Sequence, residues 1–110
     1  MKLPNGKLAI IPMDKLTGYC LNPNHPSGRH KAKVFASALG ITIENAADLQ
    51  TLIMQAVVSG EVIQQASTEF GQLYKVDWEI PGHEETITLR TLWEIPHNTL
   101  NPRLISAFIK

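Results

Sequence analysis

Leu73-Tyr74-Lys75-Val76-Asp77-Trp78-Glu79-Ile80, then Pro81-Gly82, then Thr86-Ile87-Thr88-Leu89-Arg90-Thr91-Leu92-Trp93-Glu94-Ile95 is the stretch that decides the fold. Each half alternates with a period of two, the pattern of a strand buried on one face only. In the first half Tyr74, Val76, Trp78 and Ile80 share a face, and Lys75, Asp77 and Glu79 take the other. In the second, Ile87, Leu89, Thr91, Trp93 and Ile95 oppose Thr86, Thr88, Arg90, Leu92 and Glu94. Pro81-Gly82 between them is a type II turn signal.

The same period extends to both sides. Pro96 ends the second strand, residues 97–102 read as a loop, and Arg103–Ile109 reads as a last strand, with Leu104, Ser106 and Phe108 alternating with Ile105, Ala107 and Ile109. Upstream, Glu61–Ala66 is a further strand. Before Gly60 the period changes to helical. Leu49, Leu52, Ile53, Ala56 and Val57 form one stripe of a helix with Thr42 as its N-cap, Glu44 and Asp48 early in it where carboxylates suit the dipole, and Gly60 closing it. Ala32, Phe35, Ala36 and Leu39 form the stripe of an earlier helix, with Ser27 as a candidate N-cap and Gly40 as its stop. Leu16, Tyr19 and Cys20 have helical spacing over one or two turns, and Leu8–Ile11 before Pro12 reads as a short strand or extended arm. Helices first and about four strands after them, joined by short loops, predict an α+β fold: N-terminal helices packed on a roughly four-stranded antiparallel sheet. Its core is expected to hold Phe35, Leu39, Leu49, Leu52, Ile53, Val57, Val76, Trp78, Leu89 and Trp93.

The chain has 110 residues, which suits one domain over residues 1–110. An apolar fraction of 44% with 18% charged residues is globular, not disordered. Ten cations balance ten acids, which excludes a uniformly basic nucleic-acid binder but not a local basic site. The charge is in fact uneven. Through Lys33 there are six cations against Asp14 alone, a net of +5, and the remainder carries four cations against nine acids, a net of −5. Such asymmetry hints at an anionic partner for the basic part. The single cysteine, Cys20, excludes an intramolecular disulfide framework and a cysteine-based zinc site. It reads as a buried, inert hydrophobe. The first residues carry no apolar signal region and no run approaches the length of a membrane span, so a cytoplasmic protein without a membrane partner is expected.

No phosphate-binding glycine loop, dinucleotide fingerprint or zinc-protease motif is present, and neither a cofactor nor a metal is expected. The four histidines are His25, His30, His83 and His97. Two of them fall in the densest polar cluster, His25-Pro26-Ser27-Gly28-Arg29-His30-Lys31-Ala32-Lys33, at the start of a helix. Free N–H groups at a helix start bind phosphate, imidazoles move protons near neutral pH, and Arg and Lys stabilise charge on a phosphorane without a metal. The bland alternative is a solvated helix start with His25 packed in a turn. Arg90 sits mid-strand on the polar face, where surface or ion-paired arginines are common. Trp93 reads as core more readily than as a base-stacking platform, and Ser106 as a ligand contact or a strand hydroxyl bonded to its neighbour.

Leu3-Pro4-Asn5, Lys15-Leu16-Thr17-x-Tyr19, Leu21-Asn22-Pro23-x-His25-Pro26-x-Gly28-x-x-Lys31-Ala32-x-x-Phe35, Leu39-Gly40, Tyr74-x-Val76-Asp77, Arg90-Thr91-x-Trp93 and Pro102-Arg103-Leu104-Ile105-Ser106-Ala107 form a series along nearly the whole chain. Together they resemble an uncharacterised bacterial family of small domains, free-standing or as C-terminal modules of toxin-like proteins. At the level of fold the chain is distantly similar to the barnase–EndoU–colicin–RelE class of metal-independent ribonucleases, in which N-terminal helices pack on an antiparallel sheet. That resemblance implies a toxin-like endoribonuclease cutting RNA by 2′-OH attack on the adjacent phosphate, with RNA and a neutralising antitoxin-like protein as partners. His25 or His30 would transfer protons, Lys31 and Arg90 would hold phosphate charge, and Thr91 would position the substrate. Arg29, Lys33, Trp93 and Ser106 are the candidate substrate contacts. The rival expectations are a non-catalytic protein-interaction module, favoured by the zero net charge, and a degenerate nuclease fold that binds RNA without cutting it.

Overall fold

The computed structural model describes residues 2–81 and 85–110. The Pro81-Gly82 turn signal and His83 therefore involve residues outside the described ones. Three helical segments precede four strands: α1 (Met13–Lys15, continuing as a π-helical turn over Leu16–Cys20), α2 (Arg29–Leu39), α3 (Ala46–Ser59), β1 (Val62–Ser67), β2 (Gly71–Pro81), β3 (Thr86–Pro96) and β4 (Arg103–Ile109). The strands form one antiparallel sheet in the order β1-β2-β3-β4, and the helices pack on it. The α+β arrangement expected from the two periodicities is the one observed.

The central hairpin runs in unbroken register from Gly71 opposite Pro96 to Pro81 opposite Thr86. Tyr74, Val76, Leu89, Thr91 and Trp93 are buried towards the helices, and Phe35, Leu49, Ile53 and Val57 meet them from α2 and α3. Leu39 and Leu52 are only partly buried against this core. Trp78 is also half-buried: it lies beside Ser59 and Gly60, where α3 ends and no longer extends over the sheet.

One alternation is corrected by the structure. The register shifts between Leu92 and Trp93: Leu92 faces Ser106, Trp93 faces Leu104, and Ile105 is the extra residue. Residues directly opposite in an antiparallel pair share a face, so the bulge sends Leu104 and Ala107 to the core side and Ser106 and Phe108 to the other. A strict period of two cannot represent an inserted residue.

Two termini of the helices also differ in how they are capped. Ser27 does not cap α2: Gly28 is the N-cap residue, and the His25 ring supplies the acceptor, its Nδ1 receiving the Ser27 and Gly28 N–H groups at 3.0 Å each. A Cβ on Gly28 would stand 2.3 Å from the Tyr19 carbonyl oxygen, so only glycine lets this helix start pass so close to the preceding turn. Gly40 ends α2 at φ 67, the left-handed geometry typical of a helix stop. Thr42 caps a 3₁₀ turn (Ile43–Asn45) that leads into α3, and forms a capping box with Asn45, whose Oδ1 accepts the Thr42 N–H at 2.7 Å.

Candidate functional site

The candidate residues fall into five places. Thr91 and Trp93 are wholly buried in the core: Thr91 Oγ1 donates to the Val76 carbonyl at 2.8 Å and accepts the Trp93 indole N–H at 2.8 Å. This satisfies both polar groups, as burial requires. Ser106 lies in the β4 bulge, its hydroxyl buried with no hydrogen-bond partner among the described residues.

Arg90 stands on the sheet face away from the helices, opposite Asp77. The pair is bidentate, Nε to Oδ1 and Nη2 to Oδ2 at 2.9 Å each. The Arg90 hydrogen bonds hold the Asp77 carboxyl below its ordinary range despite partial burial, with Lys110 and Lys75 adding to the effect. Arg90 is correspondingly held further towards its cationic form by Asp77. The planar fork is thus already filled by a carboxylate.

His25 and Lys31 meet at Tyr19. The His25 ring is edge-on to the Tyr19 ring at a centroid distance of 4.8 Å, and its Nδ1 lone pair is used by the two backbone donors at the start of α2. Lys31 Nζ donates to the Tyr19 hydroxyl at 3.0 Å and stands 4.8 Å from the Phe108 ring centroid. These contacts clamp α2 to the π-helical turn and to β4.

Arg29, His30 and Lys33 come together elsewhere. They line an open groove of about 670 Å³ whose apolar part is built by Leu21, Pro23, Ala32 and Ile43. Among the described residues their side chains make no hydrogen bond or ion pair, unlike those of Lys2, Lys31, Arg90 and Arg103. Helical geometry explains the grouping: 29, 30 and 33 sit on the flank of α2 beside its buried stripe, whereas Lys31 projects to the opposite flank. Across the groove stands Glu44, held by the capping turn, its N–H donating to Thr42 Oγ1 at 3.3 Å.

The groove therefore unites two unpaired cations, an imidazole and a carboxylate, which is a set able to bind a phosphodiester and move protons on either side of it. Glu44 is the member that sequence reasoning missed. Its signal was the cap at Thr42, which places Glu44 at the start of the turn, but that signal was read only as a dipole contact. Asp77 was legible in principle, because the hairpin register follows from counting the residues between the two alternating runs. Among the described residues no group of three or more His, Cys, Asp and Glu side chains is placed to hold a metal ion. No helix among them is long and apolar enough to cross a membrane.

A family defined as a domain of unknown function, DUF6883, matches residues 2–110. The chain belongs to the DUF6883 family. No curated protein and no solved structure matched it. Every residue of the groove lies inside the DUF6883 match, as do the Asp77–Arg90 pair and the Tyr19 cluster.

Proposed function

We propose that this DUF6883 domain binds single-stranded RNA in the Arg29–His30–Lys33 groove and cleaves it without a metal. The observation that carries the reading is the grouping of unpaired Arg29, His30 and Lys33 with Glu44 on one groove. Arg29 and Lys33 take the phosphate oxygens, and the apolar part takes the face of a base. Glu44 accepts the proton of the ribose 2′-OH as its oxygen bonds to phosphorus. His30, in its protonated form, donates to the departing 5′ oxygen as the P–O5′ bond breaks. The products are a 2′,3′-cyclic phosphate and a free 5′-OH. Phosphate charge thus rests on Arg29 and Lys33 instead of Lys31 and Arg90, whose charged ends hold protein partners.

The test is purified protein with RNA and with DNA of the same sequence in excess chelator. RNA should be cut to cyclic-phosphate ends, and DNA should survive for want of the 2′-OH nucleophile. Glu44→Gln and His30→Ala should each remove one limb of the pH–rate profile, and Lys33→Ala should lower the rate by about 10²–10³-fold. Binding without cleavage would leave the groove an RNA site of a degenerate nuclease. A second reading, a protein-interaction module, is favoured by the apolar part of the groove and by Ile43, which stands 43% exposed at it. Folded protein that neither binds nor cuts RNA would put that reading first.

A further inference from the structure

Three backbone donors at the start of α2 end on one residue. The His25 ring takes the Ser27 and Gly28 N–H groups on Nδ1 at 3.0 Å each, and the His25 carbonyl takes the Arg29 N–H at 3.0 Å. Bonds from the residues two and three ahead to one side chain are the pattern that Asn or Asp makes at a helix start. A carboxamide keeps its acceptor at every pH, and an imidazole does not. Only the neutral ring, with its proton on Nε2, offers a lone pair at Nδ1. The imidazolium carries N–H on both nitrogens, so protonation sets a third donor against the two backbone donors.

The charges around the ring oppose a further cation. The π-helical turn contributes Tyr19, whose ring centroid is 4.8 Å from that of His25. From α2 come Arg29, its first residue, and Lys31, whose Nζ holds the Tyr19 hydroxyl and lies 5.2 Å from the Tyr19 centroid. Asn22 and Asn24 of the loop are uncharged. Among the described residues no carboxylate bonds or pairs with His25. The positive end of the α2 dipole acts in the same sense as the two cations. The turn is also packed without slack, since a Cβ on Gly28 would stand 2.3 Å from the Tyr19 carbonyl oxygen. Arg29 and His30 follow it directly and line the groove.

We propose that His25 is a pH-operated latch: its neutral ring fixes the 25–28 turn and the Arg29–His30 edge of the groove, and its protonation in mild acid releases both. The unfolded chain takes up the same proton without losing a bond. The latch therefore contributes stability at alkaline pH that is lost as pH falls through the imidazole range. The device is independent of what the groove binds, and its consequence for RNA rests on the reading above. In that reading, acid switches the groove off even as it protonates His30.

The experiment compares wild type with His25→Asn and His25→Ala in chemical denaturation from about pH 8 to about pH 5, without RNA. Asn supplies a cap acceptor at both ends of the range and Ala at neither. Wild type should match His25→Asn at the alkaline end and fall to His25→Ala at the acid end. The change is about fivefold in the folding equilibrium constant, the worth of one helix cap. The other histidines are common to all three proteins, so their titration cancels in the comparison. Nitrogen NMR on the wild type needs no variant. Nδ1 should be the unprotonated nitrogen at the alkaline end, and the Ser27 and Gly28 amides should lose their hydrogen-bonded shifts as the ring titrates. A wild type that keeps a constant offset from His25→Asn across the range overturns the proposal. So does a neutral ring whose proton sits on Nδ1, or Ser27 and Gly28 amides indifferent to the titration of the ring. RNA cleavage is read separately: a working latch in a protein that cuts no RNA would sink the proposed function alone.

Discussion

At the scale of single residues, the structure shows several of the candidate polar side chains acting as internal fasteners. Thr91 is the clearest case, since its hydroxyl bridges the Val76 carbonyl and the Trp93 indole inside the core. Thr91→Val keeps the shape and strands the indole N–H, so it should cost about 1–3 kcal/mol in chemical denaturation while leaving groove chemistry intact. The Asp77–Arg90 pair makes a pH-dependent contribution. Because the folded carboxyl is held below its ordinary value, that contribution is present above about pH 4, the unfolded carboxyl's range, and is lost as pH falls through the lower folded value. Both side chains are partly exposed, so it is worth about 1 kcal/mol. Asp77→Asn should therefore destabilise at neutral pH, and its difference from wild type should shrink in strong acid. An Asp77→Asn gap that persisted undiminished at pH 2 would count against the ion pair as its source.

At the scale of elements, burial separates residues that a helical wheel treats alike. Leu49 and Leu52 both fall on the apolar stripe of α3, yet Leu49 is wholly buried and Leu52 only partly. Leu49→Ala should cost about 2–5 kcal/mol, as a fully enclosed leucine does, and Leu52→Ala distinctly less. Equal shifts in denaturation midpoint would contradict the packing of α3. All four strands and most of both helix stripes were legible from periodicity, because side chains at spacings of two, three and four are brought to one face by backbone geometry alone, but Ala36, placed on the α2 stripe, is exposed and only Ala32 and Phe35 of that stripe are buried. The bulge at Ile105 was not legible, because an extra residue leaves the strand sequence looking regular and shows only in what lies opposite it. The cap of α2 was missed for a similar reason: the acceptor is a histidine ring two and three residues back, outside the usual capping residue types.

At the scale of the whole molecule, the single cysteine reports on global opening. Cys20 is buried under the sheet edge, and burial pushes its thiol up, against the opposing pull of the Ala107 backbone and of Lys15 and Lys31. Labelling by a thiol reagent in the native state should be slow and should track denaturant as unfolding does; rapid native labelling would show that the β4 edge is open. The charge asymmetry is also resolved at this scale. Lys2 reaches across to Glu61 and the Ser59 carbonyl, while Arg90 and Arg103 pair within the acidic part of the chain with Asp77 and Glu94. Arg29 and Lys33 are cations of the basic part that keep their charge for the groove. The sequence by itself determined the α+β class, the strands and the buried helix faces, since these follow from the spacing of near neighbours. Only the tertiary structure decided which residues of the basic cluster lie together. Arg29, His30 and Lys33 share a groove with Glu44, while His25 and Lys31 are turned to Tyr19, because the groove is made by folding residues 21–23, α2 and the turn before α3 against one another. The side a helix residue faces is fixed by its period, but what it faces depends on the elements that the core draws alongside it.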